Sequence, residues 1–121
     1  MNTMIAVFIG GGVGSVTRFI MSKIITSNFH NINPVATLAS NFFSTLLLGI
    51  IIFISAEKIE LSTNVKALLI VGFCGGFSTF STFSYEIFEM MRSGNLFMVI
   101  LNLFISISVG VGILFLLSKS I

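Results

Sequence analysis

Gly72-Phe73-Cys74-Gly75-Gly76-Phe77-Ser78-Thr79-Phe80-Ser81-Thr82-Phe83-Ser84-Tyr85-Glu86 is the stretch on which the fold of this chain turns. Up to Tyr85 it belongs to a long uncharged segment, yet three of its residues are glycine and five are serine or threonine. Glycine disfavours a helix by about 1 kcal/mol relative to alanine, and a hydroxyl placed in hydrocarbon needs a partner. A helix clad in lipid has no use for either. The composition predicts a helix broken in mid-membrane, where unwound backbone is tolerated because it lines a cavity or meets an ion. Such a break frees carbonyls at the end of one half-helix, which attract a cation. It also frees N–H groups at the start of the next, which favour an anion. Phe77, Phe80 and Phe83 recur at every third position, and the positive edges of their rings can face an anion. Hydroxyls between the rings add donors, so apolar walls alternate with hydrogen-bonding rungs, a combination suited to a small, dehydrated anion. The plainer alternative is that small and hydroxylated residues only let helices pack closely in the membrane. The repeated Phe-Ser-Thr pattern is more than close packing asks for.

Outward from this stretch the chain divides by its charges. Of 121 residues 55% are hydrophobic and 8% charged, where a soluble domain typically carries about 25% charged residues. No charge falls in residues 1–17, 24–56, 67–85 or 93–118. About 20 apolar helical residues cross a bilayer, so the expected fold is an all-α membrane protein of four transmembrane helices, the third of them broken. Helix one is expected at residues 3–26, followed by a polar turn from Ser27 to Asn33 and by Pro34, which suits the first turn of helix two. Helix two should run to Ala56. Ser62, Thr63 and Asn64 offer caps to helix three at 65–91, and Ser93-Gly94-Asn95 gives a turn before helix four at 96–118. The whole of 1–121 reads as one transmembrane domain, and the uncharged Met1-Asn2-Thr3-Met4 start predicts a retained first helix, with no cleaved leader.

Six basic against four acidic residues give a net charge of +2, with no basic run, which does not suit nucleic acid. With one cysteine, Cys74, there is no intrachain disulfide or thiolate cluster, and a small buried helical residue is its expected role. Lys58, Lys66 and Lys119 belong to the side that holds both termini, and Arg18, Lys23 and Arg92 to the other. Orientation ordinarily follows an excess of Lys and Arg on the cytoplasmic side. An even division gives no preference, so insertion in both orientations and antiparallel association of two copies are expected, in place of the internal duplication many transporters use. The alternative is one weakly biased orientation.

Three motifs together resemble one family, the CrcB/Fluc fluoride channels: Gly11-Gly12-Val13-Gly14-Ser15-Val16-Thr17-Arg18, Thr37-Leu38-Ala39-Ser40-Asn41 and, above all, Gly72 to Glu86. The likeness covers nearly the whole chain. It implies a passive fluoride exporter in the cell (inner) membrane, built as a dual-topology antiparallel homodimer with two pores. It further implies a structural sodium ion on the dimer axis, held by backbone carbonyls that correspond to Gly75 and Ser78. Fluoride would pass Asn41, whose amide offers two N–H donors, and the pair Phe80 and Phe83. Ser81 and Thr82 would add hydroxyl donors, and Asn102 and Ser106 on helix four would continue the polar track. Arg18 would give an electropositive vestibule; it could equally be an anchor that snorkels to the headgroups.

Other residues have two readings each. Asn41 could serve as a plain interhelical hydrogen bond. Glu86 could pair with Lys or Arg at the interface, or gate the pathway. His30 reads as a solvated turn residue, and the glycines of helix one suit close helix contact better than a dinucleotide site, since no strand precedes them. The rival function is a small dual-topology proton-coupled exporter, which needs a titratable carboxylate in the membrane. Helices one and two carry none, and Glu86 and Glu89 lie near the end of helix three. No residue set points to an enzyme.

Overall fold

A computed structural model describes residues 2–28, 33–57 and 59–120. Helix α1 spans Thr3–Asn28 and α2 spans Asn33–Glu57. The third membrane helix comes in pieces: α3 (Thr63–Lys66), a π-helix (Ala67–Cys74), α4 (Gly75–Phe77) and, after two extended residues, α5 (Phe80–Arg92). Helix α6, Leu96–Ser120, closes the chain. Four segments of 23, 22, 30 and 24 residues are long and apolar enough to cross a membrane, and the third is the longest because it holds the break.

The helix ends follow their local chemistry. Ser62 caps α3, its hydroxyl accepting from the Val65 N–H at 3.2 Å. At the other end of the third helix the chain leaves through a glycine in the left-handed region, Gly94 at φ 83°. The Gly94 N–H bonds the Met91 carbonyl and the Asn95 N–H the Met90 carbonyl, each at 3.0 Å, the paired pattern that satisfies the last carbonyls of a helix. Ser27 and Asn28 extend α1 rather than begin the turn, and Asn33 already belongs to α2. The remainder of that turn, His30 included, lies outside the described residues.

Small residues hold the helices together. Gly10 and Gly14 on α1 face Gly72 and Gly76 on the third helix, and the register rises together on both, so the two run parallel. A Cβ on Gly14 would run into the Phe73 carbonyl, and one on Gly76 would stand 2.5 Å from the Gly11 carbonyl oxygen. Backbone approaches backbone here, which lipid-embedded helices exploit because dispersion and Cα–H···O contacts replace the missing hydrophobic drive. Thr3 donates to Asn64 Oδ1 at 3.0 Å and ties the two helix starts together. On the other side of the molecule Gly49 of α2 admits the side chains of Leu114 and Leu117 of α6. Most of the buried apolar residues are small, among them Ala6, Ala36, Ala67 and Cys74, while Phe8, Phe19, Phe97 and Phe104 point outward, as lipid-facing residues do.

The glycines of the third helix are therefore helical, and the break falls later. Ser78 (φ −88°, ψ 157°) and Thr79 (φ −151°, ψ 125°) are the two extended residues. Both sequence readings hold, each over its own part of the stretch: Gly72 and Gly76 serve close packing and the first two hydroxylated residues carry the interruption.

Candidate functional site

The break has a built geometry on either side. The first half-helix ends on the Cys74 carbonyl, which accepts the Ser78 N–H at 3.0 Å, the Ser78 hydroxyl at 2.9 Å and the Ser44 hydroxyl of α2 at 2.9 Å. The next carbonyl, that of Gly75, would bond the Thr79 N–H in a continuous helix. That N–H instead donates to Asn41 Oδ1 of α2 at 3.2 Å, so the Gly75 carbonyl is released. The second half-helix opens with Thr79 as its cap, its hydroxyl accepting from the Thr82 N–H at 3.3 Å. The N–H groups of Phe80 and Ser81 have no carbonyl one turn back, because Gly76 and Phe77 lie across the break. A released carbonyl, that of Gly75, and the free N–H groups of Phe80 and Ser81 thus stand on opposite sides of the two-residue break.

Asn41 is tied to the third helix at the break. Its amide oxygen makes the interhelical bond, and only an oxygen can accept from Thr79, so the end left free is the N–H₂ donor. Asn41 also lines a cavity of about 60 Å³ between α2 and α6, with Thr45, Ser106 and Gly110 among its other walls. Ser106 donates in turn to Asn102 Oδ1 at 3.0 Å.

A second, larger space of about 940 Å³ opens between α1, α2 and α5. Arg18 and Thr82 line it, together with Ser22, Thr37, Ser40 and Glu86. The Arg18 Nε is buried and has no hydrogen-bond partner among the described residues, nor has Glu86 Oε1. The other Glu86 oxygen accepts the Thr37 hydroxyl at 2.7 Å. Among the described residues Glu86 makes no ion pair with Lys or Arg, and the ion pair of this helix joins Glu89 to Arg92, at 3.1 Å and exposed.

The three phenylalanines separate at the break. Phe77 is buried against Phe73, with ring centroids 5.6 Å apart. Phe80 and Phe83 travel with α5 and pair with each other at 6.4 Å, their planes tilted by 38°. Phe80 is 80% exposed and lines neither space. Ser81 is exposed, 3.3 Å from the Thr79 hydroxyl, and Gly75 is exposed with open space beside it. One chain thus brings together Asn41 with Ser106, and Arg18 with Thr82, but leaves Phe80 unmet.

A family model described as "CrcB-like protein, Camphor Resistance (CrcB)" matches residues 5–117. The chain belongs to this family. Among its curated relatives, one from Azobacteroides pseudotrichonymphae is 39% identical over 110 residues, covering 91% of this chain and 88% of its own length. One from Aquifex aeolicus is 38% identical over 94 residues, 78% of this chain and 76% of its own. One from Pyrococcus furiosus is 37% identical over 110 residues, 91% and 88%. Each of the three is named a fluoride-specific ion channel. With four helices able to span a membrane, this CrcB-like chain is a multi-pass membrane protein.

The sequence reading missed Thr37, Ser40, Ser44 and Thr45 as individual residues of the site. The signal was present: with Asn41 they fall at i, i+3, i+4, i+7 and i+8, one polar stripe along α2, and a polar stripe inside a span faces protein or water. The Thr79–Asn41 bond had no such signal, because only the break turns that N–H toward α2.

Proposed function

We propose that this chain forms a fluoride channel: a passive conduit that lets fluoride leave through the cytoplasmic membrane, and not an enzyme. The observation that carries the reading is the Thr79–Asn41 bond. It fixes a donor amide beside a half-helix start, in a family whose relatives are named as fluoride channels. A small anion stripped of water needs fixed donors, and both groups here are held before the ion arrives. A membrane potential contributes about 2.3 kcal/mol per charge per 100 mV to drive it outward. The proton-coupled exporter gains nothing from these donors.

The working unit in this reading is an antiparallel pair of copies. Ser81, Ser84 and Gly75 are exposed within a membrane span, where hydroxyls and bare backbone are costly unless a second protein surface covers them. Phe80, likewise outward, would then complete the partner's pathway, and the pair would carry two pores. The even division of basic residues supports insertion both ways.

A sodium ion on the pair's axis fits the residues present. The Gly75 carbonyl has lost its helical donor to Asn41, a Cβ at Gly75 would meet nothing closer than 4.0 Å, and Ser78 is extended. Backbone carbonyls of Gly75 and Ser78 from both copies would hold the ion, a hard cation matched to oxygen ligands. It would neutralise the carbonyl ends of the two broken helices and is not itself transported.

The cellular test is growth. Expression in a bacterium whose own fluoride exporter is deleted should restore growth in fluoride medium, whereas sensitivity unchanged at equal membrane expression would count against the reading.

A further inference from the structure

Asn102 and Ser106 stand one turn apart on α6, both half-buried. A serine hydroxyl has one proton to give and two lone pairs. The Ser106 proton goes to Asn102 Oδ1, and it is Ser106, not Asn102, that lines the small cavity shared with Asn41. Asn41 has its own oxygen engaged by the Thr79 N–H, so its free end donates. At rest the cavity therefore sets a donor on α2 opposite an acceptor on α6. That suits a water molecule, which gives one bond and takes another. It does not suit an anion, which meets the lone pairs of Ser106.

From this we infer that Asn102 is a positioning residue: its amide oxygen holds the Ser106 proton away from the cavity, and an entering fluoride must win that proton before α6 can help bind it. The inference rests on the fluoride-channel reading and adds to it a polarity switch within one turn of helix. An anion outcompetes a neutral amide, because hydrogen bonds to ionised acceptors are the stronger ones. When the hydroxyl turns, Asn102 Oδ1 loses its donor in a half-buried place, and that loss is charged against each ion bound. The latch keeps the cavity receptive to water when empty and makes fluoride binding there weaker than the bare donors would.

The full-length chain in liposomes, with fluoride loss followed at low fluoride, tests this. Removal of the latch acceptor in Asn102→Leu should raise the initial rate about two- to tenfold, the range a net hydrogen bond commands. Asn102→Ala, smaller and free of overpacking, should do the same. Ser106→Ala should lower the rate. The decisive comparison is Asn102→Leu placed on Ser106→Ala: with no proton to hold, the Asn102 change should have no effect. A rate unchanged or lowered in both Asn102 variants overturns the latch, and so does an equal gain with Ser106 already removed. Wild-type vesicles that retain their fluoride would refute the channel reading itself, a result distinct from a working channel indifferent to Asn102.

Discussion

At the scale of single residues the site is organised around one amide. Asn41 accepts with its oxygen and leaves its nitrogen to donate, a division imposed by the Thr79 N–H. The substitution Asn41→Asp separates the two roles. A carboxylate still accepts from Thr79, so the break and the fold survive, but the donor becomes a negative charge in the path of an anion. We expect fluoride flux to fall by roughly a hundredfold or more, as a like charge in a low-dielectric passage costs several kcal/mol, with an unchanged elution volume in detergent. Flux near the wild-type level in the purified variant would remove Asn41 from the pathway. Phe80→Ile belongs to the same scale. The ring is 80% exposed in one chain, so its loss costs little within that chain, and a severe fall in flux with assembly intact is expected if the ring meets the ion in a partner's pathway. Retained flux would count against that role. These residues were legible in the sequence as types in a pattern. Their hydrogen bonds were not, because which end of an amide is free depends on a backbone N–H released by a break elsewhere.

At the scale of elements, the third helix is two structures written into one stretch. Its glycines were expected to unwind the chain, and two of them, Gly72 and Gly76, instead bring it against α1. Gly12 and Gly76 make a matched pair for measurement. A methyl at Gly76 would stand 2.5 Å from the Gly11 carbonyl oxygen, backbone that cannot step aside, whereas a methyl at Gly12 meets nothing within 4 Å. Gly76→Ala should destabilise the folded protein by about 1–3 kcal/mol, the usual range for overpacking, and Gly12→Ala should not. Thermal unfolding in detergent reads both, and equal melting of the two variants would deny the close contact. The positions of the spans were legible because charges punctuate them, and Ser62 and Gly94 could be read because capping chemistry is local. The break could be foreseen within the stretch but not at Ser78–Thr79. Its place is settled by Ser44 and Asn41 of α2, more than 30 residues away in the chain.

At the scale of the whole molecule, the chain leaves polar groups on its outside that a bilayer would not accept. The expected remedy, a second copy inserted the other way, follows from the even split of basic residues across the membrane. Ser93, exposed at the turn after α5, gives a probe. In intact cells a membrane-impermeant thiol reagent should label a substantial fraction of Ser93→Cys, and permeabilisation should expose the rest. The native Cys74 is buried and adds no signal of its own. Labelling of all or none before permeabilisation would establish a single orientation and exclude the antiparallel pair. The fold of one chain was open to sequence reasoning; the pairing rests on charge balance and on exposed hydroxyls.

One measurement bears on everything above. Liposomes that hold the purified chain, loaded with potassium fluoride and given a potassium ionophore, should release fluoride fast at a fluoride electrode, while matched vesicles loaded with chloride retain it. Fluoride loss no faster than from protein-free vesicles, or equal loss of both anions, would contradict a fluoride-selective passage at the break of the third helix.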